Sequence, residues 1–275
     1  MKFIISYSLV YTLAMATAIA QEFQGIAYYK THREINLSLD STRVNSDTQK
    51  HLQGQIQRQF QKEYTLSFKG KESVYKEIES LEKPSVANVS GEIKIVVGGM
   101  SDVLYRNLKD NFYVQETEIM DKQFLIKDTL KPREWKLEKE TKSIGEYTCF
   151  KAIFSEEIIE QIFSTDSNQI EKVTKTRTTT AWYTLQIPLS HGPQNFWGLP
   201  GLILEVNDGE QSMLCSKIIL NPKKEIEILV PSKGKPVTQV EYDIIREKKN
   251  KEMMENMGDN RSNKGGNTVI MKIGG

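Results

Sequence analysis

Read as apolar and polar positions, most of the chain alternates with a period of two. FQGIAYYK (23–30), and then YTLSF and SVYKEI around the turn KGKE from Tyr64 onward, read as half-buried strands with side chains on alternate faces. The pattern runs on through EIKIVV, which ends at Gly98-Gly99, and through VLYRNL, FYVQETEI and QFLIKD. The polar turns Lys109-Asp110-Asn111 and Asp121-Lys122 join these last three. EWKLEKET and EYTCFKAIF pair across Lys142 to Gly145, and RTTTAWYTLQI resumes a strand. GLILEV and SMLCSKIIL flank the hairpin signal Asn207-Asp208-Gly209. EIEILV and VTQVEYDII continue the sheet. Short strands at this spacing predict a mostly β fold: a strongly coiled antiparallel sheet, at the limit an open half-barrel.

Three segments break the alternation. In 31–63, Leu52, Ile56 and Phe60 recur every fourth residue, with Ser46 placed as an N-cap and Asp47 in the first turn. This predicts one amphipathic helix near the N-terminus, lying on the sheet. The segment 155–176 is polar with scattered isoleucines and fits either a hairpin extension or a mobile loop. Beyond Arg246 the composition turns Lys-, Met- and Gly-rich, so 246–275 is expected to be a short helix followed by a partly disordered tail.

The first residues carry a different signal. Lys2 gives a positive start, Phe3 to Leu13 a short apolar run, and Ala18-Ile19-Ala20 small residues at the cleavage positions. A signal peptide over 1–20, cut after Ala20, predicts a periplasmic or secreted protein with a single β-rich domain over 21–245. No later segment is apolar enough for a transmembrane span. Basic and acidic residues, 37 against 36, nearly cancel. A neutral chain has no electrostatic reason to bind nucleic acid. Export also changes how Cys149 and Cys215 read: they are either a disulfide or two separately buried thiols. Two cysteines without a nearby histidine lack any zinc-ligand spacing, so no metal and no cofactor is expected.

The densest stretch is WYTLQIPLSHGPQNFWGLPGLILEV, Trp182 to Val206. Pro188 and Pro193 interrupt regular pairing, and Gly198 allows close backbone approach. Leu199-Pro200-Gly201-Leu202 matches a type II turn with Gly201 at positive φ. Gly198, Leu199, Pro200 and Gly201 are therefore read as a structural corner that delivers an apolar strand, buried on both faces, into the core. Pro200 removes a donor and no helix follows, so the stretch is no phosphate cradle.

The hexapeptide GLPGLI at Gly198–Ile203, after AWYTLQIPLSHGPQNFW, resembles the family of exported envelope proteins named for it, the GLPGLI family. FLIKDTLKPREWKLEKETKSIGEYTCFKA (124–152) and YTLSFKGKESVY (64–75) are similar to that family as well. The resemblance implies a signal peptide and a mostly antiparallel β architecture, and it brings no assigned reaction or catalytic residue.

Candidate chemistry is sparse. Ser190-His191 sit in no nucleophile elbow, and the other histidines are His32 and His51. Trp182, Tyr183, Phe196 and Trp197 concentrate aromatic surface about the proline-rich loop, as core packing or as a binding mouth. The reading is an exported non-enzymatic envelope protein that binds an apolar ligand or an outer-membrane protein partner through a concave sheet or the aromatic loop. The alternatives are a carboxylate-dependent hydrolase and a pure interaction module docking through a sheet edge.

Overall fold

The structure, a computed structural model, describes residues 23–33, 61–78, 102–164 and 169–263. The expected signal segment, the helix through Leu52, Ile56 and Phe60, the strand EIKIVV and the end of the tail lie outside the described residues.

Among the described residues twelve strands and one helix follow in chain order: β1 (Gln24–Arg33), β2 (Glu63–Lys69), β3 (Glu72–Glu77), β4 (Val103–Asn107), β5 (Phe112–Ile119), β6 (Lys122–Thr129), β7 (Lys136–Ile144), β8 (Tyr147–Ser164), β9 (Gln169–Thr184), β10 (Leu202–Asn207), β11 (Gln211–Leu220), β12 (Lys235–Val237) and α1 (Gln239–Asn263). The strands form one sheet in the order β12-β6-β5-β4-β3-β2-β1-β11-β10-β9-β8-β7. β7 and β12 end it, so the sheet is open and does not close into a barrel. All pairings are antiparallel except β12 on β6, which is parallel. The expected antiparallel sheet is therefore a mixed one. No helix of the described residues is long and apolar enough to cross a membrane.

Both edges are blunted. β7 carries Lys136, Glu138, Lys139, Glu140 and Lys142, with ion pairs from Lys136 to Glu138 (2.9 Å) and from Lys151 of β8 to Glu140 (2.8 Å). β12 is short and contains Pro236, which cannot donate to a further strand. β8 and β9 pair as far as Ser164 opposite Gln169. Residues 155–164 and 169–176 are therefore an extension of this hairpin.

Alternation in the sequence becomes two packed faces. On one, Ala27, Tyr29, Leu66, Phe68, Tyr75, Cys149, Leu202, Leu204 and Cys215 cluster, and Ile187 closes over them. On the other, Ala152, Ala181, Tyr183, Ile203, Val206 and Met213 pack with Phe196 and Leu199. β10 is buried on both faces, as its unalternating leucines imply.

The C-terminal third departs from the expected strands. EIEILV is not in the sheet: Ile226 is buried and Ile228 packs against the cluster of Tyr105, Val114 and Leu125, while Leu229 and Val230 are exposed, so the segment crosses a face. VTQVEYDII leaves the sheet at Val237. Thr238 caps α1 through a reciprocal capping box: its backbone N–H donates to Glu241 Oε2 (2.8 Å), and the Glu241 N–H donates to Thr238 Oγ1 (3.3 Å). Tyr242 and Ile245 then seat the helix on Phe124 and Ile126.

Candidate functional site

The chain leaves β9 at Thr184 and re-enters the sheet at Leu202, its register partner on β10. The loop Leu185–Gly201 is thus a closed excursion, and its backbone folds on itself. Leu202 N–H donates to Ile187 O (2.9 Å), Ile203 N–H to His191 O (3.0 Å), Gly198 N–H to Ser190 O (3.1 Å) and Phe196 N–H to Pro193 O (3.0 Å).

Side chains from outside the loop, together with His191 within it, fix it in place. Arg106 of β4, fully buried, donates to the carbonyls of Gly192 (3.5 Å) and Gln194, and among the described residues it meets no carboxylate. Burial, and then the charge of Arg133, pulls its guanidinium below the usual arginine range. Arg133 donates to Asn195 O (3.3 Å) and lies over the rings of Phe154 and Phe196. Trp135 Nε1 donates to Trp197 O (2.9 Å), and His191 Nε2 to Gly70 O (3.0 Å). The carbonyls of Gly192, Gln194, Asn195 and Trp197 thereby find donors on β4 and on the stretch before β7. Arg106→Lys, which puts one ammonium where a planar fork held two carbonyls, is expected to cost about 1–2 kcal/mol, read as a lower denaturant midpoint at unchanged slope.

The corner has different stereochemistry from a type II turn at Pro200-Gly201. Positive φ falls on Gly198 (φ 93°), and Gly201 is not among the positive-φ glycines. Gly201 is required for proximity: a Cβ there would sit 1.9 Å from Thr184 O and 2.6 Å from Thr184 C. Leu199, at 1 % exposure, anchors the corner in the core, and Pro200 is exposed.

The four aromatics do not meet as one mouth. Tyr183 and Phe196 are buried in the second cluster, and the Phe150 ring lies 6.0 Å from Tyr183. Trp182 is half-buried on the other face with Lys142 Nζ 4.4 Å over its ring, and Lys142 also pairs with Glu205 (2.7 Å). Trp197 is half-buried and contributes its carbonyl to Trp135. Cys149 and Cys215 lie in the same core cluster as free thiols, each raised by burial, to about 11 and about 12.

A cavity of about 230 Å³ opens instead beside the loop, lined by Tyr64, Tyr75, Asp102, Leu104, Gln115, Gln194 and Asn195. Register explains the set. Tyr75, Leu104 and Gln115 are cross-strand neighbours in one row over β3, β4 and β5. Asp102 precedes Leu104 by two residues and so shares its face. Gln194 and Asn195 are brought over this row by the arginine contacts of the loop. Tyr64 stacks on Tyr75, with ring centroids 4.8 Å apart and planes at 8°.

The polar atoms here are incompletely used. Tyr75 is 4 % exposed, and its hydroxyl has no partner among the described residues; neither has Asp102 Oδ1. Asp102 Oδ2 accepts from Gln115 Nε2 (3.3 Å). Burial raises the Asp102 carboxyl above its usual range, against the hydrogen bonds of Thr117 and Gln115. Glu77, next along β3, is ion-paired to Lys62 (2.8 Å). Burial, then Glu77 and Asp102, raises Tyr64, so both tyrosines stay neutral at physiological pH. Sequence reasoning missed this site because none of its residues forms a motif; cross-strand register and the loop's arginine contacts assemble them.

A family model described as a protein of unknown function (Porph_ging) matches residues 135–205, from Trp135 through β7, β8 and β9 to the loop and the start of β10. No curated protein matches the chain. Two solved structures of PNGF-II, in space groups C2 and P21, are similar to it at 14% and 15% identity and a TM-score of 0.47. They cover 82% and 83% of this chain, which spans 33% and 34% of theirs, about a third of their length.

Proposed function

We propose that this chain is an exported, non-enzymatic binding protein of the GLPGLI type, holding a small polar ligand in the cavity between its loop and strands β2–β5. The observation that carries the reading is the polar lining of that cavity, with the Tyr75 hydroxyl buried beneath its surface and without a partner among the described residues. A buried hydroxyl left so costs about 1–3 kcal/mol unless something bonds it, and a ligand that does so gains that amount. An apolar ligand would leave both Tyr75 and Asp102 unsatisfied, which shifts the ligand class from apolar to polar. Docking through a sheet edge has less support, since charges and Pro236 blunt both edges.

The test uses the full exported chain and the dialysable fraction of the envelope extract from producing cells. That fraction is expected to raise the melting midpoint of the wild type by several degrees and to leave Tyr75→Phe unmoved. A wild type indifferent to it would remove the reading.

One observation favours a second reading. The raised Asp102 carboxyl suits a proton donor, as a carboxylate-dependent hydrolase needs. Such an enzyme would change the mass of the bound species, and Asp102→Asn would stop the change. Glu77, held by Lys62, is poorly placed to act as the free second carboxylate.

A further inference from the structure

The two end strands of the sheet are blunted, but the β8–β9 hairpin opens two further edges beyond them. β10 accompanies β9 only as far as Thr180, opposite Asn207, and β7 accompanies β8 only as far as Ile153, opposite Lys136. β8 and β9 go on pairing with each other out to Ser164 and Gln169. A two-stranded ribbon on the order of 30 Å long, at about 3.3 Å per residue, therefore leaves the sheet with neither edge paired to a strand among the described residues. Such a ribbon is marginal in water by itself, and further strands secure it. We infer that the β9 edge of this ribbon pairs with the same edge of a second copy of the chain, antiparallel across a two-fold axis at Val173, to make a four-stranded sheet β8-β9-β9-β8.

The two edges differ in how open they are. On β9, residues 169–180 contain neither proline nor glycine, and Val173, Thr174, Thr176 and Thr178 are β-branched. Val173 is 36 % exposed. The β8 edge is approached at its base by the stretch before β7, where the Arg133 guanidinium lies 4.8 Å from the Phe154 ring centre and 3.9 Å from Glu156. Its sequence also opposes self-pairing: Glu156, Glu157 and Glu160 stand in 155–164 without a basic residue.

The charge order on β9, by contrast, complements its own reverse. A two-fold axis at Val173 sets Glu171 opposite Lys175 on both sides of the axis, and Lys172 opposite Thr174. Moving the axis to Lys172 would set two lysines face to face. Moving it to Thr174 would set Glu171 opposite Arg177, which Glu156 already holds at 2.7 Å. Lysines on an edge ordinarily discourage pairing, and in the Val173 register Lys175 is offered an acid. The same register fits the body of the protein. Gln169 falls opposite Arg177, short of Thr180 where β10 begins, so the strand of the second copy ends before the sheet does. The contact is closed, because each copy uses its one β9 edge.

Size exclusion with light scattering on the full chain tests this, together with single cysteines. A mass of two chains is expected at micromolar concentration, dissociating on dilution. Residue 173 faces itself across the axis, where opposed Cα atoms lie about 4.5–5.5 Å apart, so Val173→Cys should form an interchain disulfide on mild oxidation. Ile159→Cys, on β8 and 68 % exposed, should not; Cys149 and Cys215 are buried and do not compete. The axis alters two pairs at once, so Lys175→Glu and Glu171→Lys should each raise the dimer Kd about tenfold, and the double variant should restore it. The cysteine and charge readouts are independent, so a variant that fails to fold leaves the other to decide. A monomer at every concentration would overturn the inference, as a segment of the same chain lying along the edge would produce. A dimer that cross-links equally through Ile159→Cys, or one whose Kd ignores both charge reversals, would overturn it too.

Discussion

Gly201→Ala is expected to cost about 3 kcal/mol or more, and to cost more than Gly198→Ala although only Gly198 has a left-handed backbone. The reason is what each new methyl group would meet. At Gly198 a Cβ finds nothing nearer than Trp135 Nε1 at 4.0 Å, so the penalty is that of placing an L-residue at φ 93°, about 1–2 kcal/mol. At Gly201 the Cβ would lie 1.9 Å from the Thr184 carbonyl oxygen. That oxygen is backbone, at the point where β9 and β10 come into register, and cannot rotate away. Relief requires β10 to move off β9, yet Leu202, Ile203 and Leu204 are each at most 1 % exposed and have no space to move into. Asparagine separates the two causes, because it tolerates left-handed φ better than other L-residues. Gly198→Asn should be milder than Gly198→Ala, whereas Gly201→Asn should be as damaging as Gly201→Ala. Equal unfolding midpoints for the two alanine variants, or rescue by asparagine at 201, would show that conformation rather than proximity governs the corner.

That distinction also marks how far the sequence could be read. A proline-glycine pair before an apolar run shows that the chain must bend, period-two alternation locates β1, β2 and β3 closely because one face of each meets the core, and polar turns bound β5 and β6, whose burial does not alternate. Which glycine carries the bend depends on what lies across from it, here a carbonyl on β9, and that is a tertiary fact. The misread C-terminal strand is of another kind. Thr238-Gln239-Val240-Glu241 is a capping-box signature legible in the sequence, but the β-branched residues around it favour a strand on propensity alone. The candidate site was illegible for a third reason. Tyr64, Tyr75, Asp102 and Gln115 are unremarkable at their own positions and gain meaning only through register across four strands and a loop. Arg106 shows the same limit: an arginine in VLYRN reads as an outward residue of a half-buried strand, and no local pattern says that it holds a distant loop by its carbonyls.

His191 is expected to make the protein acid-labile between about pH 6.5 and pH 3. The Gly70 carbonyl can only accept, so Nε2 carries the proton, and Nδ1 is a bare acceptor, buried with no partner among the described residues. Burial first, and then the positive charge of Arg106, holds the ring down to about 3 from an ordinary 6.5. The folded pKa is therefore the depressed one. Above 6.5 neither state binds the proton and the stability is fully present. As pH falls the unfolded chain protonates first, and stability is lost at about 1.4 kcal/mol per pH unit, to a total on the order of 5 kcal/mol near pH 3. Carboxylates titrate in the same range, so the quantity to follow is a difference. His191→Gln keeps an amide donor for Gly70 and has nothing to titrate, and carboxylate terms cancel between the two proteins. Denaturant midpoints taken stepwise from neutral pH downward should show the wild type losing its advantage and then falling below the variant; parallel curves would mean that the ring protonates in place without penalty. The loss is also local. His191 lies between Ile187 and Gly198 on the loop and gives its carbonyl to the Ile203 amide. Exchange of the Gly198 and Ile203 amides should therefore quicken at mildly acid pH before the core strands yield, because the proton that the site refuses is taken up most cheaply by lifting this loop off the sheet.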